Sequence, residues 1–167
     1  IGLPLKEVIL MNDVFYKAVI AGIFSALTLS VLAYLESLGN YGVWLMAPFG
    51  ATAVLVFGVP NSPLAKAKNV IVGHFITAVI GLVFISFIGV DPISIAIATG
   101  LAVTVMMLTN TIHPAAGANP ILIMVSGQSW DFLIMPVLVG TVFIVICGYI
   151  SGWLNTKLNV VGHKKTA

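Results

Sequence analysis

The stretch VIVGHFITAVIGLVFISFIGV (70–90) decides the class of this fold, because it carries no charged residue over the length of a membrane-spanning helix. A helix needs about 20 apolar residues to cross a hydrocarbon core roughly 30 Å thick. The whole chain of 167 residues shares this character, since 60% of its residues are hydrophobic and only 7% are charged. Soluble domains carry about 25% charged residues to cover their surface. The sequence therefore predicts an all-α integral membrane protein.

Five further apolar stretches lie on either side of this one, separated by short connections rich in Gly, Pro, Asn and Ser. The chain is expected to form about six membrane segments in a single transmembrane domain, residues 18–155. An amphipathic segment (1–17) would precede this domain, and a basic tail (156–167) would follow it. The second and fifth segments contain proline, so broken helices are expected there. The six segments are 18–35, 43–59, 70–90, 93–109, 112–126 and 132–154.

The positive charges are all lysines, and their placement tests the number of crossings. With six crossings, every lysine falls on the side of the membrane that holds both termini. Cytoplasmic loops accumulate positive charge, so both termini are expected in the cytoplasm, and a bacterial cytoplasmic membrane is the expected location. Because the chain has no arginine, it lacks a guanidinium fork for phosphates, and we expect no nucleic-acid partner. The lysines are Lys6, Lys17, Lys66, Lys68, Lys157, Lys164 and Lys165.

An internal repeat relates the two halves of the domain. When the chain is shifted by 67 residues, GATAVLVFG (50–58) aligns with GANPILIMV (117–125), and Ser62 aligns with Ser129. Chance similarity between apolar segments is the alternative, but apolar composition alone does not supply matching glycines and a matching loop serine. Each unit would hold three crossings, which makes the second copy inverted relative to the first. The two units span about 18–90 and 93–155.

The centre of each unit carries a similar motif, MAPFGAT (46–52) in the first and HPAAGAN (113–119) in the second. Proline interrupts the helix, and the helical run that restarts after each Gly-Ala pair has N–H groups without an intrahelical partner. Two such helix starts near the midplane would form a cradle for a small anion. The alternative is that both motifs are kinks that allow close helix packing. The predicted substrate-binding residues are Pro48, Phe49, Gly50, Ala51 and Thr52, and His113, Pro114, Gly117, Ala118 and Asn119.

Two histidines, His74 and His113, are the main ionisable side chains inside the predicted segments. His113 opens the second motif and is expected to gate the substrate or accept a proton, whereas a buried hydrogen bond is the preferred interpretation of His74. All five acidic residues fall at segment ends or in loops, although cation- and proton-driven carriers usually place a carboxylate inside the bundle. An anion or a neutral solute is therefore favoured. The secondary site candidates are His74, Asn69, Asn110 and Thr111.

Catalytic and metal chemistry have little support in the sequence. The single cysteine, Cys147, excludes a disulfide or a multi-cysteine metal site within one chain. No spacing typical of a Ser-His-Asp triad is present. We therefore expect no enzymatic activity, no bound metal and no cofactor.

The residues around both motifs resemble the HPP family of integral membrane proteins, which is named for a His-Pro-Pro signature. The matching stretches are APFGATAVLVFG, NSPLAKAKNVIVGH and TNTIHPAAGAN, in this order, and they cover most of residues 47–119. One position departs from the signature, because Ala115 stands where the family has its second proline. The resemblance implies a compact helical membrane domain, usually described with four spans rather than six. It also implies nitrite transport, which is associated with some plastid and cyanobacterial members.

The sequence thus favours a permease for a small inorganic anion, nitrite first and nitrate second, embedded in the lipid bilayer. A non-transporting membrane scaffold or sensor is the alternative, although a scaffold gains nothing from broken helices. An intramembrane enzyme is the weakest of the three classes. The sequence leaves open which anion is carried, whether by a channel or a carrier, and whether the chain forms a homo-oligomer.

Overall fold

Every regular element in the described part of the chain is helical. The computed structural model describes the backbone of residues 5–38 and 44–164 and the side chains of residues 14–38 and 44–157. No strand occurs within these ranges, so the predicted all-α class is confirmed. The helices are α1 (Leu5–Ser37), α2 (Pro48–Ala53), α3 (Ala67–Phe87), α4 (Pro92–Leu108), α5 (Asn119–Ser126) and α6 (Val139–Lys164).

The helices divide by length into three long and three shorter apolar elements. In the described chain, the three long enough to cross a membrane are Val14–Ser37, Ala67–Phe87 and Trp130–Lys157. Each of the six predicted segments coincides with one helical element of the structure. The shorter elements are Pro48–Gly58, Pro92–Leu108 and Pro114–Ser126.

The second and fifth segments are irregular in different ways. In the second segment, α2 passes into a π-helical turn at Val54–Gly58. In the fifth segment, a 3-10 turn at Pro114–Ala118 precedes α5, and His113 before it is extended, as residues before proline usually are. At 1.5 Å per residue, each helical piece covers only about half of a bilayer core. Neither helical piece is therefore long enough to cross the core by itself.

Both ends of the domain differ from the sequence-based boundaries. α1 begins at Leu5 and continues without a break to Ser37, so one helix contains both residues 5–17 and the first predicted membrane segment. α6 likewise continues through the start of the predicted basic tail to Lys164. The predicted surface segment and tail are therefore helical extensions of membrane helices over the described backbone.

Glycines bring the two broken segments close to their supporting helices. On α3, a Cβ added at Gly73 would lie 2.8 Å from the Thr111 carbonyl oxygen, and one added at Gly81 would lie 2.9 Å from the Pro120 Cα. Since residues 111–120 contact successive turns of α3, the fifth segment runs parallel to α3. Small residues allow such close approach between membrane helices.

The second segment packs on α6 by the same means. Phe49 contacts the backbone of Gly140, and Val56 contacts the backbone of Gly148 two helical turns further along. Gly73 and Gly140 are 67 residues apart, as are Gly81 and Gly148. The four glycines therefore occupy matching positions in the two predicted repeat units, and each broken segment packs on a helix of the other unit.

Charged side chains separate to opposite ends of the helix bundle. Lys66 and Lys68 lie beside Trp153 at the carboxyl-terminal part of α6, and the Lys157 ammonium lies 4.0 Å from the Trp153 ring centre. We call this end of the bundle the lysine end. The acidic residues Asp91 and Asp131 lie at the opposite end, because they precede α4 and α6, which both run toward the lysine end.

Candidate functional site

Four polar side chains meet inside the bundle, and all four are completely buried. They come from different elements: Thr52 from α2, His74 from α3, His113 from the extended residue before the 3-10 turn, and Asn119 from the start of α5. We call them the histidine cluster. Buried polar groups are costly in an apolar surrounding unless each finds a hydrogen-bonding partner. The partners therefore define what this site can do.

Thr52 connects the two histidines. Its Oγ1 lies 2.9 Å from the Nε2 of His74 and 3.0 Å from the Nε2 of His113. The two imidazole rings lie 5.0 Å apart between centroids, and the Phe49 ring packs edge-on against His74. Residues from both sequence motifs thus converge on one histidine of α3.

The outer nitrogen of each ring also has a partner. The Nδ1 of His113 lies 2.9 Å from the carbonyl oxygen of Leu64, in the loop before α3. The Nδ1 of His74 lies 3.0 Å from the amide nitrogen of Asn119 and 3.4 Å from its Oδ1. The two N–H groups of this amide also have Thr77 Oγ1 and the His74 carbonyl oxygen within reach, each at 3.0 Å. The cluster therefore extends from the lysine-end loop to the second turn of α3.

These partners assign the protons of the neutral cluster. Since a carbonyl oxygen only accepts, the Nδ1 of His113 carries the proton and its Nε2 accepts. The Thr52 hydroxyl has one proton, which His113 accepts, so the Nε2 of His74 must donate to Thr52. The Nδ1 of His74 then accepts from the Asn119 amide. Every donor in this chain of hydrogen bonds finds an acceptor.

The cluster also has an acceptor for one additional proton. Thr52 Oγ1 lies 3.1 Å from the carbonyl oxygen of Pro48. If the Nε2 of His113 gains a proton, both rings donate to Thr52, and the hydroxyl can turn its own proton to Pro48. The site can therefore hold a proton without leaving a buried donor unpaired.

The glycines of the two motifs lie apart from the cluster. A Cβ added at Gly50 or at Gly117 would meet no atom within 4 Å. The backbone N–H groups of Phe49 and Gly50 donate to carbonyls of the preceding turn, at 2.9 and 3.1 Å, and that of Ala116 donates to His113 at 3.0 Å. The N–H groups of Phe49 and Gly50, which are predicted substrate-binding residues, are therefore engaged with backbone in this conformation.

The remaining predicted residues shape the surroundings of the cluster. Ala51 and Ala118, with Pro48 and Pro114, line an apolar groove of about 800 Å³ between the second and fifth segments. The Asn69 amide donates to the Ile112 carbonyl oxygen at 2.9 Å, and the hydroxyl oxygens of Thr109 and Thr111 lie 2.7 Å apart. Asn110 has a positive φ of 52° and turns the chain toward His113.

Two members of the polar network were underestimated or absent in the sequence analysis. His74 is only a secondary candidate there, and Thr77 is not considered. Their spacing of three residues places them on the same face of a helix, which is the available signal. The Leu64 carbonyl could not be found from the sequence, because a backbone acceptor has no residue signature.

No group of three or more His, Cys, Asp or Glu side chains lies together among the described residues. The cluster supplies two histidines, a hydroxyl and an amide. Its chemistry is hydrogen bonding and proton uptake.

Comparison with known proteins identifies the family. The transmembrane region of the HPP family matches residues 12–159. A transmembrane protein of Dictyostelium discoideum is 33% identical over 135 residues, covering 76% of this chain and 47% of that protein. A second one is 30% identical over 132 residues, covering 74% of this chain and 42% of that protein.

The chain spans less than half the length of these curated relatives, and no solved structure matches it. The family match covers both broken segments and the whole histidine cluster. Together with the long apolar helices, it establishes an integral membrane protein. The chain belongs to the HPP transmembrane family.

Proposed function

We propose that this protein is a permease for a small inorganic anion, with nitrite as the first substrate and nitrate as the second. The histidine cluster carries the proposal, because both broken segments direct polar side chains to one buried place in an apolar bundle. Polar and ionisable groups within a membrane are costly, and they mark substrate and ion pathways. Broken helices commonly form the substrate sites of transporters.

The chemistry of the cluster favours an anion. Thr52, Asn119 and the two imidazoles offer O–H and N–H donors, and no carboxylate lies among them. The described acidic side chains are Glu36, at the end of α1, and Asp91 and Asp131, at the end of the bundle opposite the lysines. An anion that entered between the rings would replace the Thr52 hydroxyl as their partner, and proton uptake on His113 would strengthen its binding.

The proposal includes a six-crossing inverted repeat with the lysine end in the cytoplasm. The paired glycine contacts of α3 and α6 support the repeat, since matching glycines hold the two broken segments. The gathering of Lys66, Lys68 and Lys157 at one end supports the orientation. Alternating exposure of the cluster would then follow from a shift of one unit relative to the other.

Uptake into proteoliposomes tests the proposal. Vesicles with purified protein should take up nitrite or nitrate faster than protein-free vesicles, at slightly alkaline pH to limit passage of neutral nitrous acid. Chloride and formate serve as competitors that define the selectivity. Absence of protein-dependent flux for every anion, in correctly folded protein, would exclude the permease.

A non-transporting membrane scaffold is the second candidate. The completeness of the hydrogen bonding in the cluster favours it, because a satisfied buried network also rigidifies a bundle. The same experiment separates the two, since a scaffold needs His74 and His113 for folding but carries no flux.

A further inference from the structure

We infer that the cavity at the lysine end binds the phosphate headgroup of an anionic phospholipid. The cavity has a volume of about 550 Å³ and lies between the loop before α3 and one face of α6. It is distinct from the histidine cluster, and the inference does not depend on the proposed transport activity. Its walls are Lys66 from the loop, Lys68 from the first turn of α3, and Gly148, Tyr149, Gly152 and Trp153 from α6.

The charge of the cavity is positive. Lys66 and Lys68 are exposed and line it, although the Lys68 ammonium also lies 3.5 Å from the Thr109 carbonyl oxygen. Lys157 lies against the Trp153 ring, which is part of the cavity wall. The acidic side chains Asp91 and Asp131 lie at the other end of the bundle, too far away to neutralise it. Basic pockets between membrane helices commonly bind the headgroups of anionic lipids.

The position of the cavity matches the headgroup region of a bilayer. Tyr149 and Trp153 are exposed on the helix that crosses the membrane, so both rings face lipid. Tyr and Trp beside lysines are typical of the membrane–water interface. Toward the membrane interior the walls become apolar, at Val56 and Val145, which suits the first carbons of an acyl chain.

The size of the cavity separates a lipid from a free inorganic anion. An anion of three or four atoms would fill only a small part of 550 Å³ and would leave the tryptophan and the aliphatic wall without a contact. Gly152 contributes open space to the cavity, because a Cβ added there would meet no atom within 4 Å. A glycerophosphate headgroup uses both the charged loop and the apolar wall.

Native mass spectrometry of the detergent-solubilised protein tests this inference. Phosphatidylglycerol, phosphatidylcholine and inorganic phosphate are the three probes. A lysine near an anionic lipid surface contributes about fivefold in affinity. Lys66→Gln and Lys68→Gln should each weaken phosphatidylglycerol binding by about that factor, and the double variant by about thirtyfold.

Two further variants control the experiment. Lys17→Gln removes the same charge from α1, outside the cavity, and should change binding less than twofold. Gly152→Leu fills the cavity without changing charge and should weaken binding as much as one lysine substitution. The lipid site is overturned if phosphatidylcholine binds equally well, if the double variant binds like the wild type, or if Lys17→Gln loses as much affinity. Displacement of phosphatidylglycerol by millimolar inorganic phosphate would likewise overturn it in favour of a free-anion site.

Discussion

Thr52 is the residue on which the buried network depends most, because its single hydroxyl lies within hydrogen-bonding distance of both histidine rings. Nothing else in the described structure connects the two Nε2 atoms. A substitution at this position therefore changes the environment of His74 and His113 together.

Thr52→Val keeps the shape of the side chain and removes the hydroxyl, which leaves a donor on His74 and an acceptor on His113 unpaired. Each unpaired buried group costs about 1–3 kcal/mol. Thr52→Ser keeps the hydroxyl and loses one methyl group, at a cost of about 1 kcal/mol. The Tm of the purified protein should be highest for the wild type, lower for Thr52→Ser and lowest for Thr52→Val. The rate of anion uptake should decrease in the same order. Equal stability and uptake of the Ser and Val variants would contradict the assigned network.

In the proposed permease, His113 is the residue expected to set how transport responds to pH. A proton on its Nε2 makes the cluster cationic, and the Pro48 carbonyl accepts the displaced Thr52 proton. Nitrate uptake should therefore rise as the pH falls, and His113→Gln should flatten this profile, because the amide has no comparable titration. Nitrate is the preferred probe since it stays ionised throughout. A pH profile in folded His113→Gln that matches the wild type would give this histidine a purely structural role.

At the scale of the elements, the close contact of the fifth segment with α3 is set by Gly73 and Gly81. Gly81→Ala should destabilise the protein by about 1–3 kcal/mol, because the added Cβ meets the backbone at Pro120, which cannot move aside easily. Gly100→Ala in α4 is the matched control, since open space surrounds it and alanine favours helix. Thermal unfolding should show a lower Tm for Gly81→Ala alone. Equal Tm values for the two variants would argue against the tight contact.

The start of α4 depends on the capping side chain of Asp91. The backbone N–H groups of Ser94 and Ile93 donate to its carboxylate and hold its pKa below the usual value of 3.8. A carboxyl group with a lower pKa in the folded state stabilises the fold above its unfolded pKa, and this stabilisation disappears as the pH falls through the folded pKa.

Asp91→Ala should therefore lower the Tm at neutral pH, and its difference from the wild type should shrink below about pH 4. Asp91→Asn retains a hydrogen-bond acceptor for the cap, so its Tm at neutral pH should lie between those of Asp91→Ala and the wild type. Unfolding curves recorded between neutral and acidic pH test this expectation. A difference that stays constant over that range would show that the carboxylate charge does not act through the cap.

The sequence predicts the positions of these elements well, but it does not predict which face of each helix points into the bundle. The apolar runs and prolines locate all six segments and the irregular second and fifth, and the recurring motifs contain Thr52, His113 and Asn119. The irregular start of the sixth segment, with a 3-10 turn at Trp130–Leu133 and a π-helical turn at Ile134–Leu138, was not expected. α3 is apolar on all sides, so its composition does not reveal which face points inward, and His74 could not be placed. The glycines of the motifs have open space beside them, while Gly73 and Gly81 make the close contacts. Which glycines make close contacts depends on packing between segments that are distant in the sequence.

For the molecule as a whole, the separation of charge predicts its orientation in the membrane. In a Cys147→Ser background, Asn61→Cys at the lysine end and Ser129→Cys at the opposite end are both exposed. An impermeant maleimide added to intact cells should label Ser129→Cys and should reach Asn61→Cys only after permeabilisation. Labelling of Asn61→Cys from outside would contradict the cytoplasmic lysine end and the crossing number with it.

The packing of the second segment on α6 and of the fifth segment on α3 has a consequence for biosynthesis. A ribosome makes the second segment early, but Gly140 and Gly148, on which Phe49 and Val56 pack, emerge near the end of the chain. The second segment is therefore made before the helix on which it packs, whereas the fifth segment is made after α3. Assembly of the buried polar network follows the same order, since Thr52 reaches its final position only with the second segment. A nascent chain that stops before α6 would hold both histidines and yet be unable to complete the site between them.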